Sequence, residues 1–185
     1  MSGLSMGAAR DFSLAVPDNV TDMYALHQMV WSQFDRILRR ENMGRMNHDA
    51  SFLYRRNAGL VTVRSAALRA AGQQNPCPLR QGIARKIRVC LAPFRDAQPR
   101  SKQDVDQAIN RVFERTGVSL LQFQVIDQGV GVGQKVIDGR VSRIELPFFE
   151  LEAEVVQMDP CAAQEFWNIG AGRGRRFGFG MPVLA

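Results

Sequence analysis

Residues 170–180, "GAGRGRRFGFG", place five glycines and three arginines in eleven positions. A glycine run serves a dinucleotide or P-loop fold only when it follows a strand and opens a helix, because the helix N-terminus holds the phosphate. Here the run follows a predicted helix, "DPCAAQEFWNIG" (159–170), and leads into a predicted last strand, "RFGFGMPVLA" (176–185). Nucleotide binding of that kind is excluded on this order. Two readings of the run stay open. Glycines at 170, 172, 174, 178 and 180 would let a ligand approach bare backbone, while Arg173, Arg175 and Arg176 add charge-assisted bonds to phosphate. A solvated turn with incidental arginines is the plain alternative.

Working outward, Asp159 caps the helix, Pro160 takes its first position and Gly170 lies past its end. Before it, "ARKIRVCLAPF" (84–94) reads as a strand and "SKQDVDQAINRVFERTG" (101–117) as a helix capped by Ser101 and stopped by Gly117. "VSLLQFQVID" (118–127) is a strand, the Gly-rich stretch 129–139 a loop, and "LPFFELEAEVVQM" (146–158) a long strand. The second half is thus β-α-β-β-α-β, the ferredoxin-like or RRM-like order.

The first half shows β-α-β-β. "RDFSLAVP" (10–17) is a strand closed by Pro17, and 18–40 is a helix with Asp18 or Asn19 as cap and Asp22 in its first turn. Met23, Leu26, Val30, Phe34 and Ile37 form its apolar stripe. A loop (41–49) precedes strands at 50–56 and 59–66, joined by a turn around Asn57–Gly59. The expected fold is α+β, with two ferredoxin-like (RRM-like) domains in tandem, the first abbreviated. Residues 1–69 would form the first domain, 70–83 a Pro- and Gly-containing linker and 84–185 the second.

The chain carries a net charge of +6, and 21 of its 24 cationic residues are arginines. Planar, bidentate guanidinium suits RNA, although a GC-rich genome explains the bias equally well. Cys77, Cys90 and Cys161 form no CxxC, which argues against zinc and for a reducing cytoplasm. No apolar run nears ~18 residues, so a soluble protein is expected, without membrane contact.

"MYALHQMVW" (23–31) carries a second signal. Tyr24 and His27 are three apart and stand one above the other on the helix, with Trp31 a turn further. His27 is either a hydrogen-bonded histidine at the edge of a core or an imidazole placed for proton transfer, with a phenol beside it. "RKIR" (85–88) alternates Arg85 and Ile87 against Lys86 and Arg88, so one face can meet RNA or simply be solvated. Phe177 and Phe179 alternate into the last strand as core residues.

The loop 170–180 fits the pattern glycine–apolar–glycine, five residues, glycine–apolar–glycine without a gap. In this it resembles the C-terminal glycine-rich loop of the RAMP superfamily of CRISPR-associated RNA-binding proteins. Tyr24 and His27, followed by the "FLYR" strand (52–55), are similar to the tyrosine and catalytic histidine of the repeat-processing endoribonucleases of type I-E CRISPR systems, or of a related type IV system.

The resemblance implies a prokaryotic cytoplasmic endoribonuclease that cuts CRISPR precursor RNA at the repeat hairpin, without metal or other cofactor. It implies that the mature guide RNA is kept, with other Cas subunits as partners. Tyr24 and His27 would be catalytic, with His48 beside Asp49 as rival proton carrier. Arg85, Lys86, Arg88 and the loop residues Gly170, Gly172, Arg173, Gly174, Arg175, Arg176, Gly178 and Gly180 would bind RNA. A non-catalytic RAMP subunit would share the loop. A general RRM would show aromatics on its central strands, and "KIRVCLA" (86–92) has none.

Overall fold

A computed structural model describes residues 8–41, 52–57, 59–94 and 101–185. The loop expected at 41–49 and the rival His48 therefore fall almost wholly outside the described residues. Two four-stranded antiparallel sheets carry the chain. The first contains β1 (Ala9–Ala15), β2 (Leu53–Asn57), β3 (Leu60–Ser65) and β4 (Gln73–Asn75), in spatial order β2-β3-β1-β4. The second contains β5 (Arg85–Leu91), β6 (Val118–Ile137), β7 (Arg140–Gln157) and β8 (Val183–Leu184), in the equivalent order β6-β7-β5-β8.

Each half is thus a ferredoxin-like unit, and the first lacks its second helix. Residues 66–72 turn without helix, and the chain reaches β4 at once, pairing Gln73 with Asp11. The segment 70–83, expected as a linker, therefore supplies a strand to the first sheet.

α1 (Met23–Arg40) covers the first sheet with Leu26, Val30, Phe34 and Leu38 buried in its core, while Met23, also buried, faces the second half. Leu38, rather than Ile37, completes the stripe, and Ile37 packs at its edge. The cap is Asp22, neither Asp18 nor Asn19. Its Oδ1 accepts from Tyr24 N at 2.9 Å and Ala25 N at 2.8 Å, because extended backbone at Asp22 aims the carboxylate at the first free amides. α2 (Lys102–Phe113) and α3 (Pro160–Ile169) cover the second sheet, capped by Ser101 and Asp159 as expected.

The strands of the second half depart from expectation at two places. Residues 129–139 are not a loop. β6 runs through them and pairs with β7 from Val118↔Gln157 to Ile137↔Arg140, turning at Asp138–Gly139, both at positive φ. The glycines are demanded by tertiary neighbours. A side chain at Gly129 would strike the Phe148 ring, at Gly131 the Phe179 ring, and at Gly133 the Met23 and Tyr24 atoms of α1. Asp22 completes that docking, its Oδ2 accepting from Gln134 N at 2.8 Å.

The last strand, expected at 176–185, shrinks to Val183–Leu184. Residues Arg175–Phe177 form a 3₁₀ turn, Gly178 and Gly180 take φ values of 92° and 82°, and Pro182 has no N–H to offer a ladder. Phe177 and Phe179 are nevertheless core residues, packed with Met23 and Ala92 at the seam between the halves.

A polar cluster also crosses the same seam. Arg64 of β3 is 1% exposed and donates through Nε and Nη2 to the Asp11 carboxylate at 2.8 and 2.9 Å. Its Nη1 donates to the carbonyls of Trp167 (3.2 Å) and Pro182 (2.7 Å) in the second half, and its guanidinium lies 4.5 Å from the Trp167 ring centroid. Asn75 closes the network, donating to Asp11 at 2.6 Å and accepting from Trp167 Nε1 at 3.2 Å. No helix among the described residues is long and apolar enough to cross a membrane.

Removing one partner of a buried ion pair leaves the other charge uncompensated. Arg64→Met is therefore expected to cost about 3 kcal/mol or more of stability. The measurement is the urea midpoint at unchanged slope, and a midpoint equal to wild type would refute the assignment.

Candidate functional site

His27 projects from the second turn of α1 toward the glycine loop. Leu26 and Val30 on one side of the helix are buried in the first core, which leaves His27 half-buried at the seam. Three rings enclose it. Phe52 stacks at 6.0 Å between centroids and 9° between planes, Tyr54 lies at 6.4 Å, and Phe177 of the loop stands edge-on at 6.0 Å. Phe52 and Tyr54 were not singled out from sequence. Their i, i+2 spacing entering a strand puts both on one sheet face, and that alternation was the available signal.

A cleft of about 840 Å³ opens beside the imidazole. One wall is His27, Gln28, Trp31 and Phe52 from the first half, and the other is Arg173, Arg175 and Arg176 from the loop. The three arginines are exposed. Arg175 Nη1 donates to the Ile169 carbonyl at 3.1 Å, and the Arg176 guanidinium sits 4.8 Å from the Phe177 ring centroid. Arg173 forms an isolated antiparallel bridge with Ala92. The loop is thus tied to its own sheet while its charges face the cleft.

The imidazole pKa lies below the ordinary 6.5. Burial is the main cause, since it penalises the charged form, and the Arg176 cation acts in the same direction. A hydrogen bond with the Arg176 main chain opposes both without cancelling them. His27 is accordingly neutral at neutral pH. Its Nδ1 is buried and meets no hydrogen-bond partner among the described residues.

Tyr24 does not join this cleft. It packs against Gly133 of β6, with Lys135 Nζ 6.0 Å from its ring centroid. The three-residue spacing puts Tyr24 nearer the start of the helix, where the β6–β7 hairpin covers it. Arg85, Lys86 and Arg88 lie away from the cleft on β5, all exposed. Glu152 on the neighbouring β7 takes ion pairs from Lys86 at 3.9 Å and Arg88 at 3.3 Å, so their charge is partly answered within the sheet.

The loop glycines are explained by packing at two positions. Gly170 and Gly180 adopt φ values of 72° and 82°, and a Cβ on either would run into the facing segment's carbonyls, Gly180 O or Ala171 O. The two segments touch backbone to backbone through Ala171 N→Gly180 O at 3.1 Å, and Gly180 N→Cys90 O at 2.6 Å ties the second of them to β5.

If Arg176 depresses the His27 pKa, Arg176→Gln should raise it toward 6.5. The shift is measurable by NMR titration of the imidazole, and an unmoved pKa would leave burial as the whole cause.

No protein-family model and no curated protein matches this sequence. Solved structures match across nearly its whole length. The CRISPR endoribonuclease Cse3 bound to a 19-nucleotide RNA superposes with a TM-score of 0.71 at 16% identity, covering 97% of this chain and 98% of that one. The CRISPR-associated protein Cas6e of Escherichia coli K-12 gives 0.60 at 18% identity, covering 96% and 98%. A chain of a CRISPR RNA-guided surveillance complex gives 0.59 at 18%, covering 95% and 98%. At such identities the likeness is one of fold, and it takes in both sheets in their mutual arrangement: this chain has the fold of the Cse3 and Cas6e CRISPR endoribonucleases.

Proposed function

We propose that this protein is a metal-independent endoribonuclease that cuts CRISPR precursor RNA at the repeat hairpin. The observation that carries the reading is His27, neutral and half-buried, facing three exposed arginines across a cleft in a fold shared with an RNA-bound endoribonuclease. RNA brings its own nucleophile. The site needs only to align a 2′-hydroxyl in line with the adjacent phosphorus, move protons and stabilise charge on the phosphorane-like transition state.

The neutral imidazole is the base form. His27 takes the proton from O2′ as the O2′–P bond forms. The P–O5′ bond breaks and the departing oxygen gains a proton, balancing the one lost from O2′, so the sum is an internal transesterification that splits the strand into a 2′,3′-cyclic phosphate and a 5′-hydroxyl end. Nδ1 is buried, so Nε2 is the nitrogen that meets substrate. Arg173, Arg175 and Arg176 supply positive charge to the phosphate. Tyr24 sits off the cleft and contributes by docking α1 to β6. The product hairpin stays bound as the protein joins other Cas subunits.

The test is a denaturing-gel assay with repeat RNA in EDTA. Cleavage should persist in chelator, fall by about 10²–10⁴-fold in His27→Ala, and vanish on a 2′-deoxy substrate. Tight binding without cutting by the wild type would assign the chain to the non-catalytic RAMP subunits instead.

The pH dependence discriminates the role of His27. As a base it must be unprotonated, so kcat/KM should hold at neutral pH and fall as the pH drops through its depressed pKa, below 6.5. A rate that falls as the pH rises through the same region would make His27 the acid toward O5′.

A further inference from the structure

The His27 cleft does not end at the loop. A second groove of about 840 Å³ begins on the far side of it, between the C-terminal end of α2 and α3. Ile169, Gly172, Arg173 and Arg175 line both. The two spaces are therefore halves of one path that crosses the glycine loop, with Arg173 and Arg175 at the crossing.

The second half of the path has a distinct charge and shape. Arg111, in the last turn of α2, and Arg115, in the turn that follows, line it and are exposed. Neither they nor Arg173 and Arg175 form an ion pair among the described residues. Glu114 and Glu165 also line the groove, and four arginines against two glutamates leave it net positive. Phe94 and Pro93 give it an apolar wall, with the Phe94 ring only half-buried. Guanidinium groups along a track beside an exposed aromatic face are the means by which proteins hold single strands, which offer phosphates on one edge and unstacked bases on the other.

We infer that the groove between α2 and α3 binds single-stranded RNA adjoining the cut, with Arg111 and Arg115 as phosphate contacts. This rests on the RNA-cutting reading and extends it: the strand leaves the scissile phosphate at His27, passes over Arg173 and Arg175, and continues along α2. Recognition would then include the unpaired flank as well as the hairpin, and the loop arginines would hold the strand at the point where it turns.

The experiment compares wild type with the Arg111→Ala/Arg115→Ala double variant on three labelled RNAs. These are the repeat hairpin alone, the hairpin with a 5′ oligouridine extension, and the hairpin with a 3′ oligouridine extension. Affinity for one of the extended RNAs should fall by about tenfold in the variant, and the salt dependence of its binding should lose about 1.4 from the log–log slope, the share of two single-strand phosphate contacts. Binding of the bare hairpin should not change, which also reports that the variant is folded. Equal loss on all three RNAs, or no loss on either extended RNA, overturns the inference while wild-type cleavage leaves the parent reading intact. A wild type that neither binds nor cuts the repeat overturns both.

Discussion

Arg64 is the constraint on which the rest of the site depends. Its guanidinium is planar, and three of its nitrogens are engaged at once, two on the Asp11 carboxylate and one on carbonyls of the opposite half. Two parallel bonds fix the plane of the fork against the first sheet, and the third direction then fixes Trp167 and Pro182 of the second. A lysine ammonium, a point charge on a flexible stem, meets any one of these demands without setting the others. Rotation of one sheet against the other would break the bonds together. His27 and the loop arginines come from different halves, and they share a cleft only because this seam is held.

The same seam sets the chemistry of His27. Phe52 and Tyr54 belong to the first half and Phe177 to the second, so the rings that bury the imidazole are themselves joined across the interface. Phe177 is next in sequence to Arg176, and one short segment therefore supplies both burial and the cation that hold the imidazole neutral. A phosphate entering the cleft acts in the opposite sense. It offsets Arg176 and favours imidazolium, the form His27 would take on the proposed mechanism after accepting a proton from O2′. The resting site favours the base, and the charged substrate favours what the base becomes.

Much of this was readable in the sequence because it is local. The α1 stripe, the Ser101 and Asp159 caps, Pro160 and Gly170 each announce themselves within one or two turns, and the element order followed from them. What was not readable is set by distant partners. Gly129, Gly131 and Gly133 look like loop residues because their reason is Phe148, Phe179 and α1, which a local window does not contain. Asp22 outranked Asp18 as cap for a similar cause, since its second oxygen is engaged by Gln134, 112 positions away. Gln73–Asn75 carry no strand signal of their own and are strand only because β1 has a free edge. For the site, the spacing that paired Tyr24 with His27 was sound for a bare helix, but Tyr24 lies against the β6–β7 hairpin while the cleft opens beside His27.

The glycine loop brings these lines together. Taken as sequence, its bare backbone suggested room for a phosphate. In the fold, Gly170 and Gly180 are glycine because two main-chain segments meet with no space for a methyl group between them. That contact makes the loop stiff, tied through Gly180 N to Cys90 and through Arg173 to Ala92. Stiffness is what the arginines require. Three guanidinium groups on a mobile turn would spend binding free energy on ordering, whereas three on a fixed platform present their field already aimed at the place where charge develops. On the proposed function the glycines thus act on RNA at one remove: they fix the backbone, the backbone fixes the arginines, and Arg64 anchors both flanks of the loop at Trp167 and Pro182.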